Sequence, residues 1–598
     1  MYSIPDTPAL TEIDGAAKKP DSLDYGIEAF AKENFNAAIE YLSAAMAEKP
    51  DDPLPCAYLA FICARQGLVR EARDFIAQSA RIAPERADLV AALGETFLKS
   101  GKPLDAAEYL REAIQRQPDL FAAYPAFAQS LHLAGQSEEA VSALQAACHL
   151  PSNAQAAIRN TLMQILAECG DVSEFAKHAM RFSQGLPDDL MAARCLARFD
   201  ESGEQFIEAL SRVQARLESV IPSGPCRPSA APNESGLIRI AFMVGDFTSP
   251  HQFEQLYALF RYLPPERFFT LFITACFHPL KDDMLQKCFL LADTNLNISD
   301  GDDEGAIEKL RALAPDILVD MNVCAPSGRL AVFLGASVAH KLMWGEAPIA
   351  PIAPDVRVLA GKRLSVENML PAVPLPEIGE VFDLPERPLT HRAAKKWGEA
   401  PVLGCLVPAA GIGRNGWRLF AETLRQHPSA TLVINLEELG EAAERFIAAQ
   451  FSGAGVAPER LVFIQARTAE DYCLTWQSID LGLMPPVHFG GLALPSCLWM
   501  GRPCLVPDAI LPWSQRPAAL LKALGKEEWI AMGEARFIDL ARQLAPPDKR
   551  LAPDPLLRAR MKALGLTDAK AFAQGFAEAM TALFQNAPAA PFDGQSQP

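Results

Sequence analysis

The sequence predicts an all-α solenoid followed by two α/β halves, each built on a parallel sheet. Three observations carry that expectation: residue columns that recur every 34 positions in the first third, a stretch rich in Pro, Ser and Gly at 222–236, and beyond it a repeated alternation of apolar strand-like runs with helical ones. At 598 residues, 50% of them hydrophobic, the chain is too long for one core and apolar enough to fill several.

The repeat comes first. Ala38, Ala72, Ala106 and Ala140 form one column, Leu42, Ile76, Leu110 and Leu144 a second, Gly67, Gly101 and Gly135 a third, and Pro50, Pro84 and Pro118 a fourth. Each unit, such as "GKPLDAAEYLREAIQRQPDL", sets a glycine turn between two helices, small alanines where they cross closely and a proline where the second must stop. This is the pattern of a tetratricopeptide (TPR) array, covering about 22–151. A degenerate continuation follows in "NTLMQILAECGDVSEFAKHAMRFSQGLPDD", with Phe175 near the small-residue column, and then "FDESGEQFIEALSRVQARLESVI" reads as amphipathic connecting helices. Stacked repeats build a concave superhelix, a surface suited to gripping an extended peptide, so a protein partner is expected.

After the linker, "LIRIAFMVGDF", "QFEQLYALFRYL" and "FTLFITACF" read strand, helix, strand, and "AIEKLRALAPDILVDMNV" continues the alternation. The pattern restarts after "NMLPAVPLPEIGEVFDLPERPLTHR" with "PVLGCLVPA", "ATLVINL", "RLVFIQA", "IDLGLMP" and "PCLVP". Continuous apolar strands alternating with helices argue parallel sheets covered on both faces, with ligands expected at the carboxyl ends of the strands. The expected boundaries are a flexible 1–21, a solenoid with connecting helices over 22–221, the linker 222–236, α/β halves over 237–385 and 386–585, and a flexible tail over 586–598.

A formal charge of −18 leaves no clustered cationic footprint for nucleic acid or an anionic membrane surface. The N-terminus "MYSIPDTPALTEIDGAAKKPDS" has no apolar core of a signal peptide, and no uncharged apolar run of about 18 residues occurs, so a cytoplasmic protein is expected. The 13 cysteines contain no CxxC pair and read as reduced core residues rather than a disulfide framework or zinc site.

Two glycine loops carry the candidate chemistry. "HFGGLALPSCLW" places Gly490 and Gly491 before a short helix, an arrangement that brings bare backbone and a helix N-terminus to a phosphate. "GIGRNG" (411–416) follows a strand and opens a helix, with Glu437 ending the next strand, which formally satisfies a dinucleotide fingerprint. A dehydrogenase leaves the second glycine loop unexplained; two phosphate-type loops suit a nucleotide sugar better.

In order and spacing, "RIAFMVGDFTSPHQFEQL", "PDILVDMNVCAPSGRLAVF", "MWGEAP", "DLGLMPPVHFGGLALPSCLWMGRPCLV" and "WSQRPAALLKALGKEEWIA" resemble the blocks of the O-GlcNAc transferase and SPINDLY group of protein glycosyltransferases, over about 22–585. The resemblance implies a GT-B fold of two Rossmann-like domains facing a cleft, metal-independent and without a cofactor, transferring sugar from a nucleotide donor to Ser or Thr of a protein. It makes His251 the histidine near the reacting centre, one residue further from Asp246 than usual, with Asp246 capping the turn or holding His251. It also makes His488, Gly490 and Gly491 the donor loop, sets Ala493 to Ser496 at the helix start facing phosphate, and places Arg516 near the donor.

Departures accompany the matches. Leu492, Ala493, Pro495 and Ser496 stand where paired threonines and an acidic residue are usual, Gly411 with Arg414 nearby stands where a phosphate-binding lysine is usual, and Val323 and Cys324 follow "LVDMN". A different activated sugar accounts for all three changes, and the layout resembles the bacterial flagellin glycosyltransferases. The expected partners are therefore flagellin, through the solenoid, and a nucleotide sugar, either a CMP-nonulosonic acid such as CMP-pseudaminic acid or a UDP-HexNAc. The rival is a non-catalytic adaptor that keeps a degenerate transferase cleft as scaffold.

Overall fold

The computed structural model describes residues 21–585 apart from 33, 150–153, 172–173, 176, 180–192, 194–195, 197–203, 221–235, 246–249, 276–282, 300–301, 322–328, 345–355, 364–371, 390–399, 438, 488–490, 509–514 and 547–551. The chain divides into two units, one comprising residues up to 169 with 441–446, the other 170–440 and 447 onward.

In the first unit the helices follow the predicted period: α1 (Ser22–Ala31), α2 (Phe35–Glu48), α3 (Pro53–Arg65), α4 (Val69–Ile82), α5 (Ala87–Lys99), α6 (Pro103–Arg116), α7 (Ala123–Leu133), α8 (Ser137–Ala147) and α9 (Gln155–Cys169). Ala38, Ala72, Ala106 and Ala140 are fully buried, as are Leu42, Leu110 and Leu144, so the two sequence columns are the seams where the helices cross. Gly94 shows how tight the seam is, since a Cβ there would lie 2.6 Å from Leu110 Cγ. Gly67, Gly101 and Gly135 close α3, α5 and α7 with φ of +80°, +72° and +86°, a left-handed cap that a side chain would strain. Pro50, Pro84 and Pro118 each fall two residues past the end of α2, α4 or α6, where a missing N–H stops the helix.

In the second unit β1 (Ile238–Val244), β2 (Phe268–Thr274), β3 (Thr294–Asn297), β4 (Ile317–Asp320), β5 (His340–Met343), β6 (Val356–Gly361) and β7 (Ala372–Leu375) form one sheet in the order β3-β2-β1-β4-β5-β6-β7. Every pairing in it is parallel. β1 explains its unbroken apolar run: Ile238, Ile240, Phe242 and Val244 enter the core on one face and Ala241 and Met243 the core on the other. The helix α10 (Glu204–Val220) sends Val213 and Leu217 into the second of these cores. The crossover helices described here are α11 (Pro250–Tyr262), α12 (Asp283–Leu291), α13 (Asp303–Leu313) and α14 (Leu330–Gly335).

The second sheet, in the order β10-β9-β8-β11-β12-β13, is built from β8 (Val402–Cys405), β9 (Thr431–Asn435), β10 (Leu461–Ile464), β11 (Leu481–Leu483), β12 (Cys504–Pro507) and β13 (Ile530–Ala531). It too is parallel throughout. Its helices are α15 (Arg414–Gln426), α16 (Glu441–Gly453), α17 (Ala469–Trp476), α18 (Ala493–Trp499), α19 (Arg516–Ala523), α20 (Glu534–Leu544) and α21 (Pro555–Ala563). The last helix, α22 (Ala569–Gln585), crosses the expected division at 385/386: it leaves the second sheet and packs Phe572, Phe576 and Met580 beside Trp344 and Phe242 of the first, and Ala519 of α19 also enters a core of the first sheet. An apolar face of that size is buried where the complementary surface lies, whatever the order of the chain. The described cysteines are free thiols, all but Cys63 buried.

Candidate functional site

β1 delivers the chain to the carboxyl edge of the first sheet, and α11 begins at Pro250; residues 246–249, Asp246 with them, lie outside the described residues. His251 is the second residue of that helix and is 1% exposed. Its ring stacks on Phe382 with centroids 4.6 Å apart and planes 17° from parallel. One turn along, the Gln255 amide nitrogen lies 2.7 Å from His251 Nε2, the arrangement in which the amide donates to a neutral imidazole. Gln252 donates to the carbonyl of Met321, just past β4, at 2.5 Å and ties the helix start to the sheet edge.

Two carboxylates flank this histidine. Glu380 Oε2 is 3.9 Å from His251 Nε2. Its other oxygen accepts from Arg516 Nη1 at 3.0 Å, with the Glu380 side chain 8% and the Arg516 side chain 17% exposed. Arg516 opens α19, where its positive charge faces the unfavourable end of the helix dipole, and Glu380 offsets that charge. Glu254, one turn from His251, has its carboxyl pushed up to about 7 by burial, against the lowering effect of His251 and with the charge of Asp383 raising it further. Glu254 Oε2 is buried without a hydrogen-bond partner among the described residues. The structure thus brings together His251 and Arg516, which the sequence named, with Glu254, Gln255, Glu380 and Phe382, which it did not. Glu254 and Gln255 were legible as helical neighbours of His251 at three and four residues; Glu380 and Phe382 sit in a Pro-rich stretch with no local signal.

The loop after β8 holds Gly411 at the end of a 3-10 turn (Ala409–Gly411), its N–H donating to Pro408 O at 2.7 Å. Among the described residues a Cβ at 411 would meet only Val407 Cγ1, at 3.6 Å, so none of them requires glycine there. Gly416 differs, since its Cβ would lie 2.8 Å from Ile412 Cγ2. Arg414, the first residue of α15, is committed to carboxylates: Nη2 donates to Asp171 Oδ2 at 2.6 Å, and Nη1 is 3.8 Å from Glu174 Oε1. The Asp171 side chain is only 4% exposed, so this pair is a built contact, and the acid partner comes from the segment that follows α9.

His488 and Gly490 lie outside the described residues. Gly491 has φ +84°, a conformation that favours glycine. The small residues after it differ from the expectation. Leu492, Ala493 and Ser496 are all buried, and the Ser496 hydroxyl bonds back to the Leu492 and Ala493 carbonyls while accepting from Trp476 Nε1 at 2.9 Å. Its backbone N–H is taken as well, by Leu492 O at 3.0 Å, and Pro495 carries none. Ser496 is a core residue, and what this two-turn helix can offer an anion is the main chain of Ala493 and Leu494. Among the described residues no three His, Cys, Asp or Glu side chains are grouped to hold a metal ion, and no helix is long and apolar enough to cross a membrane.

The architecture defines a fold class: a helical tetratricopeptide-like region followed by two parallel-sheet α/β lobes of the GT-B kind. A tetratricopeptide-repeat family model matches residues 29–95. In particular, the chain shares its fold with a variant O-GlcNAc transferase of Thermobaculum terrenum, at 20% identity and a TM-score of 0.57 over 89% of this chain and 97% of that one. Anabaena HepE in complex with UDP-glucose matches 58% of this chain and 100% of its own, with 11% identity and a TM-score of 0.41. The lipopolysaccharide outer core galactosyltransferase WaaB in its apo form also matches 58% of this chain and 100% of its own, with 13% identity and a TM-score of 0.39. No curated protein matches the sequence.

Proposed function

We propose that the protein is an O-glycosyltransferase that moves a sugar from a nucleotide donor to Ser or Thr of a protein held by the solenoid. The observation that carries this reading is the meeting of elements from both α/β lobes at a buried histidine: α11 of the first supplies His251 and α19 of the second supplies Arg516, with Glu380 between them. Catalysis then rests on holding two substrates in register, on phosphate stabilisation by Arg516, Arg414 and the backbone around Gly411 and Gly491, and on removal of the hydroxyl proton at His251. The anomeric carbon gains a bond to the acceptor oxygen and loses its bond to phosphate, and the nucleotide leaves with the negative charge.

For the acceptor we propose flagellin, and for the donor a CMP-nonulosonic acid such as CMP-pseudaminic acid, with UDP-HexNAc as the second donor class. The buried, apolar Leu492 and Ala493, and a Ser496 hydroxyl taken up by the protein itself, support a donor contacted through main chain rather than through hydroxyls. One observation favours the adaptor reading: Arg414 and Arg516, the two cations offered to phosphate, are each paired with a carboxylate. Flagellin incubated with the protein and each sugar nucleotide separates the two. The transferase reading expects a mass gain of one sugar residue that His251→Ala abolishes while flagellin still binds; the adaptor reading expects binding alone.

A further inference from the structure

The contact between Glu380, Arg516 and His251 has a charge logic of its own. A carboxylate 3.0 Å from a guanidinium and 3.9 Å from an imidazole, all three largely buried, divides its field between two partners of which only one can change charge near neutral pH. We propose that Glu380 is a positioning residue that links donor binding to proton removal: when an anion engages Arg516, the charge of Glu380 is left to His251, and the imidazole becomes a stronger base only in the donor-loaded protein. This rests on the transferase reading for the identity of the anion, a nucleotide phosphate, but the charge linkage itself belongs to this geometry.

Several features favour it. Phe382 holds the imidazole in plane from one side, so the ring meets Glu380 in a fixed orientation. The Gln255 amide serves either protonation state, donating to Nε2 of the neutral ring as it stands and accepting from N–H after turning over. Among the described residues, the other ionisable groups on this side of the site are Glu254 on the same helix, Asp383 beside Glu254, and Asp320, which closes β4 just before the Met321 carbonyl bonded by Gln252. Glu380 is the carboxylate that lies against both Arg516 and His251, so an anion at Arg516 reaches His251 through it. During transfer the hydroxyl proton passes to His251 and the departing phosphate carries its charge away from Arg516. Glu380 is then drawn back to the guanidinium, and the imidazolium is primed to release its proton.

The test is the titration of the His251 ring, followed by NMR in the full-length protein with labelled histidine and with His251→Gln to identify its signal. Arg516→Gln should move the midpoint up by about one pH unit, Glu380→Gln should move it down, and the double variant should match Glu380→Gln alone. Adding UDP or CMP should reproduce the upward shift in the unsubstituted protein and leave Glu380→Gln unmoved. Arg516→Met, which keeps the apolar stem, serves if the Gln variant melts early. An unchanged midpoint in folded Arg516→Gln and Arg516→Met overturns the linkage, even where the protein glycosylates its acceptor. The reverse result, with Arg516→Gln shifting the midpoint while neither nucleotide binds or shifts it, upholds the linkage and counts against the transferase reading.

Discussion

At the scale of single residues, the cost of a site is legible in Glu254. Its carboxyl is pushed up from 4.5 to about 7 by burial, so the folded state keeps a proton that the unfolded state has lost. The sign follows: the penalty is absent below the unfolded value, grows as pH rises between about 4.5 and about 7, and is complete above that. Glu254→Gln should therefore match the parent near pH 4, exceed it at pH 8 by roughly 1–3 kcal/mol, and flatten the dependence of stability on pH between them. Denaturant melts at a series of pH values check this; an equal or lower stability at pH 8 would mean the carboxylate is solvated. A buried acid that destabilises its own fold fits a group retained for the chemistry of the site around it.

At the scale of the element, the loop from β8 into α15 separates packing from function within six residues. Gly416→Ala drives a methyl to 2.8 Å from Ile412 and should lower stability by about 1–3 kcal/mol. Gly411→Ala meets nothing closer than 3.6 Å among the described residues and should melt like the parent while binding nucleotide more weakly, as the proposed phosphate contact of this backbone requires. Thermal melts with nucleotide titrations on both variants check the contrast. Arg414, in the same turn, has Asp171 as a competitor for any phosphate. Asp171→Asn should tighten nucleotide binding by roughly two- to fivefold, the factor that an ion pair worth about 0.5–1 kcal/mol would withhold. Calorimetric titration measures it, and an unchanged or weaker affinity would remove Arg414 from the donor site.

At the scale of the whole molecule, the parts of the fold that were legible are those with local rules. The columns through Ala38 and Gly67 state the helix crossing and the left-handed cap outright, and β1 announces a strand buried on both faces by having no polar alternation. The return of α22 to the first sheet was not legible, because an amphipathic helix shows which face it buries and not against what. The candidate site divides the same way. His251 and Arg516 were found through ordered motif blocks, whereas Glu380 reaches them from a Pro-rich connection whose sequence carries no periodicity. Where the Ser496 hydroxyl goes was not legible for a physical reason: a hydroxyl in the first turn of a helix can serve a ligand or its own backbone, and here the Leu492 carbonyl and the Trp476 indole take it.

In the proposed reaction, sugar leaves a nucleotide and arrives on a protein at the site around His251. The most direct measurement follows both halves at once, the intact mass of the flagellin acceptor and the free nucleotide released from the donor, with the parent protein and His251→Ala in parallel. One nucleotide should be released for each sugar residue gained with the parent, and neither change should occur with the variant. Flagellin that stays bound at unchanged mass, while every UDP, GDP and CMP sugar remains intact, would contradict the proposed reaction and leave a protein-binding scaffold.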